Sequence, residues 1–133
     1  MYHVTRACDI PSILVTGLEP RIGQRSQEFG EKLPAVYAFP TMFDCHTALS
    51  QWLGEWFCDL EEEEGYEIPL AIVEFDPSDL VQLPQEVAFE ARFVSTVPPS
   101  ALRAILSELE FEKRSEAALK KLAAAAEAQA NAA

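Results

Sequence analysis

The stretch IPLAIVEF, Ile68 to Phe75, decides the architecture. Apolar side chains fill both alternating faces of it until Glu74, the pattern of a strand covered on both sides. Such a strand needs partners, and the flanking sequence supplies candidates. Asp76-Pro77-Ser78-Asp79 makes a turn. Leu80 to Leu83 suits a brief strand, and Val87 to Val94 (VAFEARFV) alternates, with Val87, Phe89, Ala91 and Phe93 on one face and Glu90 and Arg92 on the other. Val97-Pro98-Pro99 interrupts the chain, and Ala101 to Leu106 resumes as a strand or short helix. Upstream, Ala35 to Phe39 lies between two prolines as a short strand, and residues 2–5 (YHVT) open another.

Helices are predicted between these strands. Asp9 suits an N-cap, Ile10, Ile13 and Leu14 follow at helical spacing, and Gly17 ends the helix. Leu18 to Arg21 leaves as an extended connection, and residues 22–33, polar with two glycines, read as a loop suited to recognition. Thr41 is expected to cap the next helix, with Asp44 in its first turn. Along that helix Cys45, Leu49, Trp52, Leu53 and Trp56 form one apolar stripe, with the two tryptophans stacked. Glu61 to Glu64 reads as a solvated loop. Residues 112–133 are rich in alanine, which favours a helix, but they lack a broad apolar stripe. The expectation is an α+β domain over residues 1–111, followed by a helical or disordered tail over 112–133.

A length of 133 residues suits one domain. The net charge of −12 argues against a nucleic-acid binder of the basic kind, which needs Lys and Arg to displace counterions. It leaves room for a basic protein partner or for a positive cleft on an acidic body. Cys8, Cys45 and Cys58 lack the paired spacing of a disulfide framework or a zinc site, so no metal is expected. No stretch approaches the ~20 apolar residues that span a bilayer, and the N-terminus lacks a signal-peptide layout, so no membrane and a cytoplasmic location are expected.

Three segments carry candidate chemistry. His3 and Thr5 share one face of the first strand, Tyr37 lies on the second, and Glu90 lies on a later strand. A carboxylate in an otherwise apolar strand is costly unless it is paired or used. Arg92, two residues on, is close enough to favour the ionised form of Glu90.

In this order the segments resemble the ADP-ribosyltransferase superfamily. Y-H-V-T, a helix with S-I-L, G-L-E-P-R, V-Y-A-F, a tryptophan-containing helix and F-E-A-R-F-V-S-T-V-P-P-S-A-L follow one another over residues 1–106. The opening is similar to that of the poly(ADP-ribose) polymerases and the tRNA 2′-phosphotransferases. The last segment is similar to that of the DNA-targeting ADP-ribosyltransferase toxins. The resemblance implies a split β-sheet with flanking helices that holds NAD, and a His-Tyr-Glu arrangement that maps onto His3, Tyr37 and Glu90.

In that arrangement Glu90 stabilises positive charge on the ribose as nicotinamide leaves. His3, assisted by Thr5, donates to a ribose hydroxyl, and Tyr37 stacks on nicotinamide. Arg6, Arg21 and Arg25 are candidates for the pyrophosphate, Arg6 and Arg21 being favoured. Ala88 stands where arginine-modifying groups carry a second glutamate, which argues against an arginine acceptor. The expected function is mono-ADP-ribosylation of a protein or nucleic-acid acceptor by a bacterial or phage toxin, effector or counter-defence factor. The alternatives are an acidic, non-catalytic module that inhibits a basic partner protein, and an NAD glycohydrolase.

Overall fold

A computed structural model of the chain describes residues 1–21 and 34–132; the loop expected at 22–33, with Arg25, lies outside them. Strand β3 (Leu70–Phe75) is the middle of a three-stranded sheet. It runs antiparallel to β1 (Tyr2–Arg6) on one side and to β5 (Leu102–Ser107) on the other. Ile72 and Val73, neighbours that face opposite ways, are both 0% exposed, which accounts for the lack of polar alternation in this stretch. The register pairs His3 with Val73 and Thr5 with Ala71, so His3 and Thr5 share the face of Val73.

A second, two-stranded sheet pairs β2 (Val36–Ala38) antiparallel with β4 (Ala91–Phe93). The two sheets meet where Tyr2 and Phe39 exchange backbone hydrogen bonds, at 3.0 and 2.7 Å. Between the sheets lies one core, in which Phe75 and Phe93 pack edge to face with ring centres 5.7 Å apart. On the other face of the three-stranded sheet, Val4, Ile72 and Leu106 pack against helices. The described residues form an α+β fold.

Helix α1 (Ile10–Thr16) follows a 3-10 turn over Ala7–Asp9. Asp9 occupies the cap position but with helical backbone angles and no capping bond from its side chain, so the sequence reading of it as an N-cap fails in its mechanism. The preceding turn already bends the chain into the helix, and Pro11 in the first turn has no N–H to satisfy. Gly17 ends α1 at φ 79°. A Cβ there would lie 2.0 Å from the Val97 carbonyl oxygen, and the next residue, Leu18, exchanges backbone hydrogen bonds of 2.9 Å with Val97.

The single tryptophan helix expected over this region is two helices. Helix α2 (Met42–Ser50) is capped by Thr41, whose hydroxyl accepts from the Asp44 N–H at 3.1 Å. Gln51, at φ −128° and ψ −114°, breaks the run, and α3 (Trp52–Glu64) starts afresh. The restart brings the chain so close to α2 that a Cβ on Gly54 would stand 1.9 Å from the Leu49 carbonyl oxygen. It also resets the stripe: Cys45 and Ala48 on α2 and Leu53, Phe57 and Leu60 on α3 are the buried positions. Trp52 packs its ring near Phe39 and Phe89, at 6.1 and 6.5 Å, and Trp56 packs on Phe57 at 5.0 Å. Glu61 to Glu64 is the last turn of α3, not a loop, though Glu62 to Glu64 are solvated as expected.

Helix α4 (Glu108–Ala132) runs unbroken through the boundary expected at 111/112. Its first turns anchor it, since Phe111 and Ser115 are buried and the Glu108 carboxylate accepts the Leu70 N–H at 2.9 Å. Among the described residues no helix is long and apolar enough to cross a membrane.

The strand predicted over 87–94 shrinks to Ala91–Phe93. Val87 and Phe89 are exposed in a turn, at 41 and 44%. The cause lies in β2. The N–H and C=O of Val36 and Ala38 face β4, whereas those of Phe39 are committed to Tyr2 on the other side. The next residue of that strand to face β4 would be Pro40, which has no N–H to give, so the ladder ends at Ala91. The brief strand expected over Leu80 to Leu83 is reduced to a bridge between Gln82 and Phe93.

Candidate functional site

Three hollows of nearly equal volume, about 280, 280 and 300 Å³, mark the described surface, so size does not choose among them. Their residues do. One of the 280 Å³ hollows is walled by His3, Thr5 and Arg6 from β1, Arg21 from the extended connection and Tyr37 from β2. Five of the seven residues proposed from sequence thus meet around one space; of the other two, Arg25 lies outside the described residues. It opens where β1 and β2 stop pairing beyond Tyr2 and Phe39.

His3 marks that divergence. Its Nδ1 lies 2.7 Å from the Tyr37 carbonyl oxygen. Tyr37 lies two residues from Phe39, so its carbonyl faces the same side, toward β1, where a continued ladder would have placed a backbone N–H. The imidazole takes that role. A carbonyl only accepts, so Nδ1 carries a proton and donates it there; the donation to a ribose hydroxyl expected from the sequence cannot come from that nitrogen.

The remaining wall comes from elements that the sequence reading assigned to other tasks. Asp9, Ser12 and Thr16, at spacings of three and four, place a polar stripe of the turn and α1 on the cavity, beside Glu19. The signal was present in that periodicity but was absorbed by the capping assignment for Asp9. Trp56 and Phe57 of α3 complete an aromatic side. Arg6 and Arg21 oppose Asp9 and Glu19 in charge, so this wall is neutral on a body of net charge −12. An anion meets less repulsion on such a wall than the net charge of the whole chain suggests.

Glu90 is not on this wall. It sits just before β4, half-buried, on the same face of the two-stranded sheet as Arg92 and Tyr37, because the register pairs Tyr37 with Arg92 and Ala38 with Ala91. The register begins at Ala91, so Glu90 lies one residue outside it, beside the end of β2 that carries Ala38. Nη2 of Arg92, the residue expected to tune Glu90, donates to the Pro84 carbonyl at 3.1 Å and pairs with the Glu86 carboxylate at 3.3 Å.

The thiols do not join the site. Cys8 and Cys58 are exposed, and Cys45 is buried, which pushes its thiol up to about 12. Among the described residues no group of three His, Cys, Asp or Glu side chains is placed to hold a metal ion. No protein-family model matches the chain, and comparison with curated proteins and with solved structures gives no match either.

Proposed function

We propose that this chain is a mono-ADP-ribosyltransferase that cleaves NAD and passes ADP-ribose to a macromolecular acceptor. The observation that carries the reading is the convergence of His3, Thr5, Arg6, Arg21 and Tyr37, from separate elements, on one hollow at the split between two sheets. Its volume of about 280 Å³ sits at the small end of ligand pockets, which run from about 300 to 1,000 Å³. That suits the nicotinamide-ribose half of a dinucleotide, with the adenylate half lying outside it.

Departure of nicotinamide develops oxocarbenium-like charge on the ribose, and the Glu90 carboxylate, just before β4, stabilises it. His3 hydrogen-bonds a ribose hydroxyl, Tyr37 offers its ring to the nicotinamide, and Arg6 and Arg21 hold the pyrophosphate. The substitution Glu90→Gln keeps shape and removes charge. It is expected to lower nicotinamide release by about 10²–10³-fold, with the melting temperature unchanged. Equal turnover in the two proteins would remove the assignment. Incubation with labelled NAD and a cell lysate then separates transfer, seen as a labelled macromolecule, from hydrolysis, seen as free ADP-ribose alone.

A further inference from the structure

Residues 84–90 leave the two-stranded sheet as an exposed turn, yet one side chain sits at its centre. The Gln85 amide nitrogen Nε2 lies 3.3 Å from the carbonyl oxygens of Ala88 and of Glu90, and 3.5 Å from that of Val87. The Glu90 N–H closes the same turn on the Val87 carbonyl at 3.4 Å. Carbonyl oxygens gathered this closely repel one another unless a donor stands among them. Nε2 carries two hydrogens, so it can serve two of these three oxygens at once and exchange between them. Arg92 braces the start of the turn through Pro84 and Glu86, and the Phe89 ring rests near Trp52.

We propose, resting on the transferase reading, that Gln85 is a positioning residue for Glu90. Its amide is the clasp that fixes the turn, so that Phe89 stays against Trp52 and the Glu90 carboxylate is presented in one orientation. Glu90 lies one residue before β4, and its carbonyl turns away from β2, as that of Arg92 does toward Leu83, so the Gln85 amide meets it on that side. None of the cavity walls comes from residues 82–94. Gln85 therefore acts on the chemical step and leaves NAD binding alone.

The test compares Gln85→Met, which keeps the shape without a donor, with Gln85→Lys, which restores a donor. Gln85→Met is expected to lower kcat for nicotinamide release by about 10²-fold, the cost of a displacement near 1 Å, with KM for NAD and the melting temperature unchanged. Gln85→Lys is expected to recover most of that loss. Wild-type kcat in Gln85→Met, a KM that rises in step, or a loss that lysine does not recover overturns the proposal. Hydrogen exchange tests the clasp without NAD. Amides of the 85–90 turn should exchange about tenfold faster in Gln85→Met, the factor for one lost net hydrogen bond, while β1 and β3 stay protected. Unaltered exchange overturns the clasp whatever the enzymology. Faster exchange in a chain that never turns over NAD removes the transferase reading and leaves the clasp standing.

Discussion

The two sheets hold their functional residues in different ways. In the three-stranded sheet, β3 is paired along its length on both sides and packed on both faces, so His3 on β1 is fixed by a register that the core enforces. In the two-stranded sheet, each strand is three residues long, and Glu90 stands just past its end. One candidate residue is therefore placed by burial and the other by polar contacts at the surface. Burial tolerates little change and shows plainly in a sequence; a surface clasp tolerates change in stability terms and hardly shows.

Substitutions can pull this contrast apart. The largest effect is expected in the central strand. Ile72→Ala removes a side chain with no exposed surface and should destabilise the fold by about 2–5 kcal/mol, read as a lower denaturant midpoint with an unchanged slope. A loss under about 1 kcal/mol would mean that the sheet repacks, and that burial does not fix His3 after all.

A middle effect belongs to the seam between α1 and the segment that follows β4. Gly17→Ala forces a Cβ against the Val97 carbonyl at positive φ, and about 1–3 kcal/mol should be lost. If Gly17→Ala instead melts at the wild-type temperature, the Leu18–Val97 link is looser than its two hydrogen bonds imply.

The smallest effect is chemical. At pH 8 a thiol held at about 12 stays protonated, so a thiol-specific reagent should label Cys8 and Cys58 in the native protein and reach Cys45 only after unfolding. Burial, with the nearby Asp44 carboxylate adding to it, holds that thiol in its protonated form. Prompt labelling of all three would show that the helical face of the three-stranded sheet opens as readily as the turn at 85–90.

These differences explain what could be read in advance. β2 and β3 were legible because each writes burial directly into its side chains, and Thr41 was legible because its hydroxyl answers an N–H three residues on. His3, Tyr37, Arg6 and Arg21 could be nominated one by one, and the fold places them on one hollow. The extent of β4 was not legible. VAFEARFV alternates through Val87 and Phe89, but where its partner would next face it stands Pro40, without an N–H, a fact about a distant segment. The break at Gln51 left one local trace, Gly54, which makes sense only once the Leu49 carbonyl is seen against it. The polar face of α1 was visible as a spacing, yet a capping assignment for Asp9 used it up.

The long terminal helix has an electrical consequence. At about 1.5 Å per residue its 25 residues reach roughly 37 Å, and it carries Lys113, Arg114, Lys120 and Lys121 against five glutamates. Nearly all of the net charge of −12 therefore resides on the rest of the molecule, which is left with a pronounced dipole moment. In the field of a polyanion such a body feels a torque that turns the near-neutral mast forward and the acidic bulk away, so its approach is oriented before any contact is made.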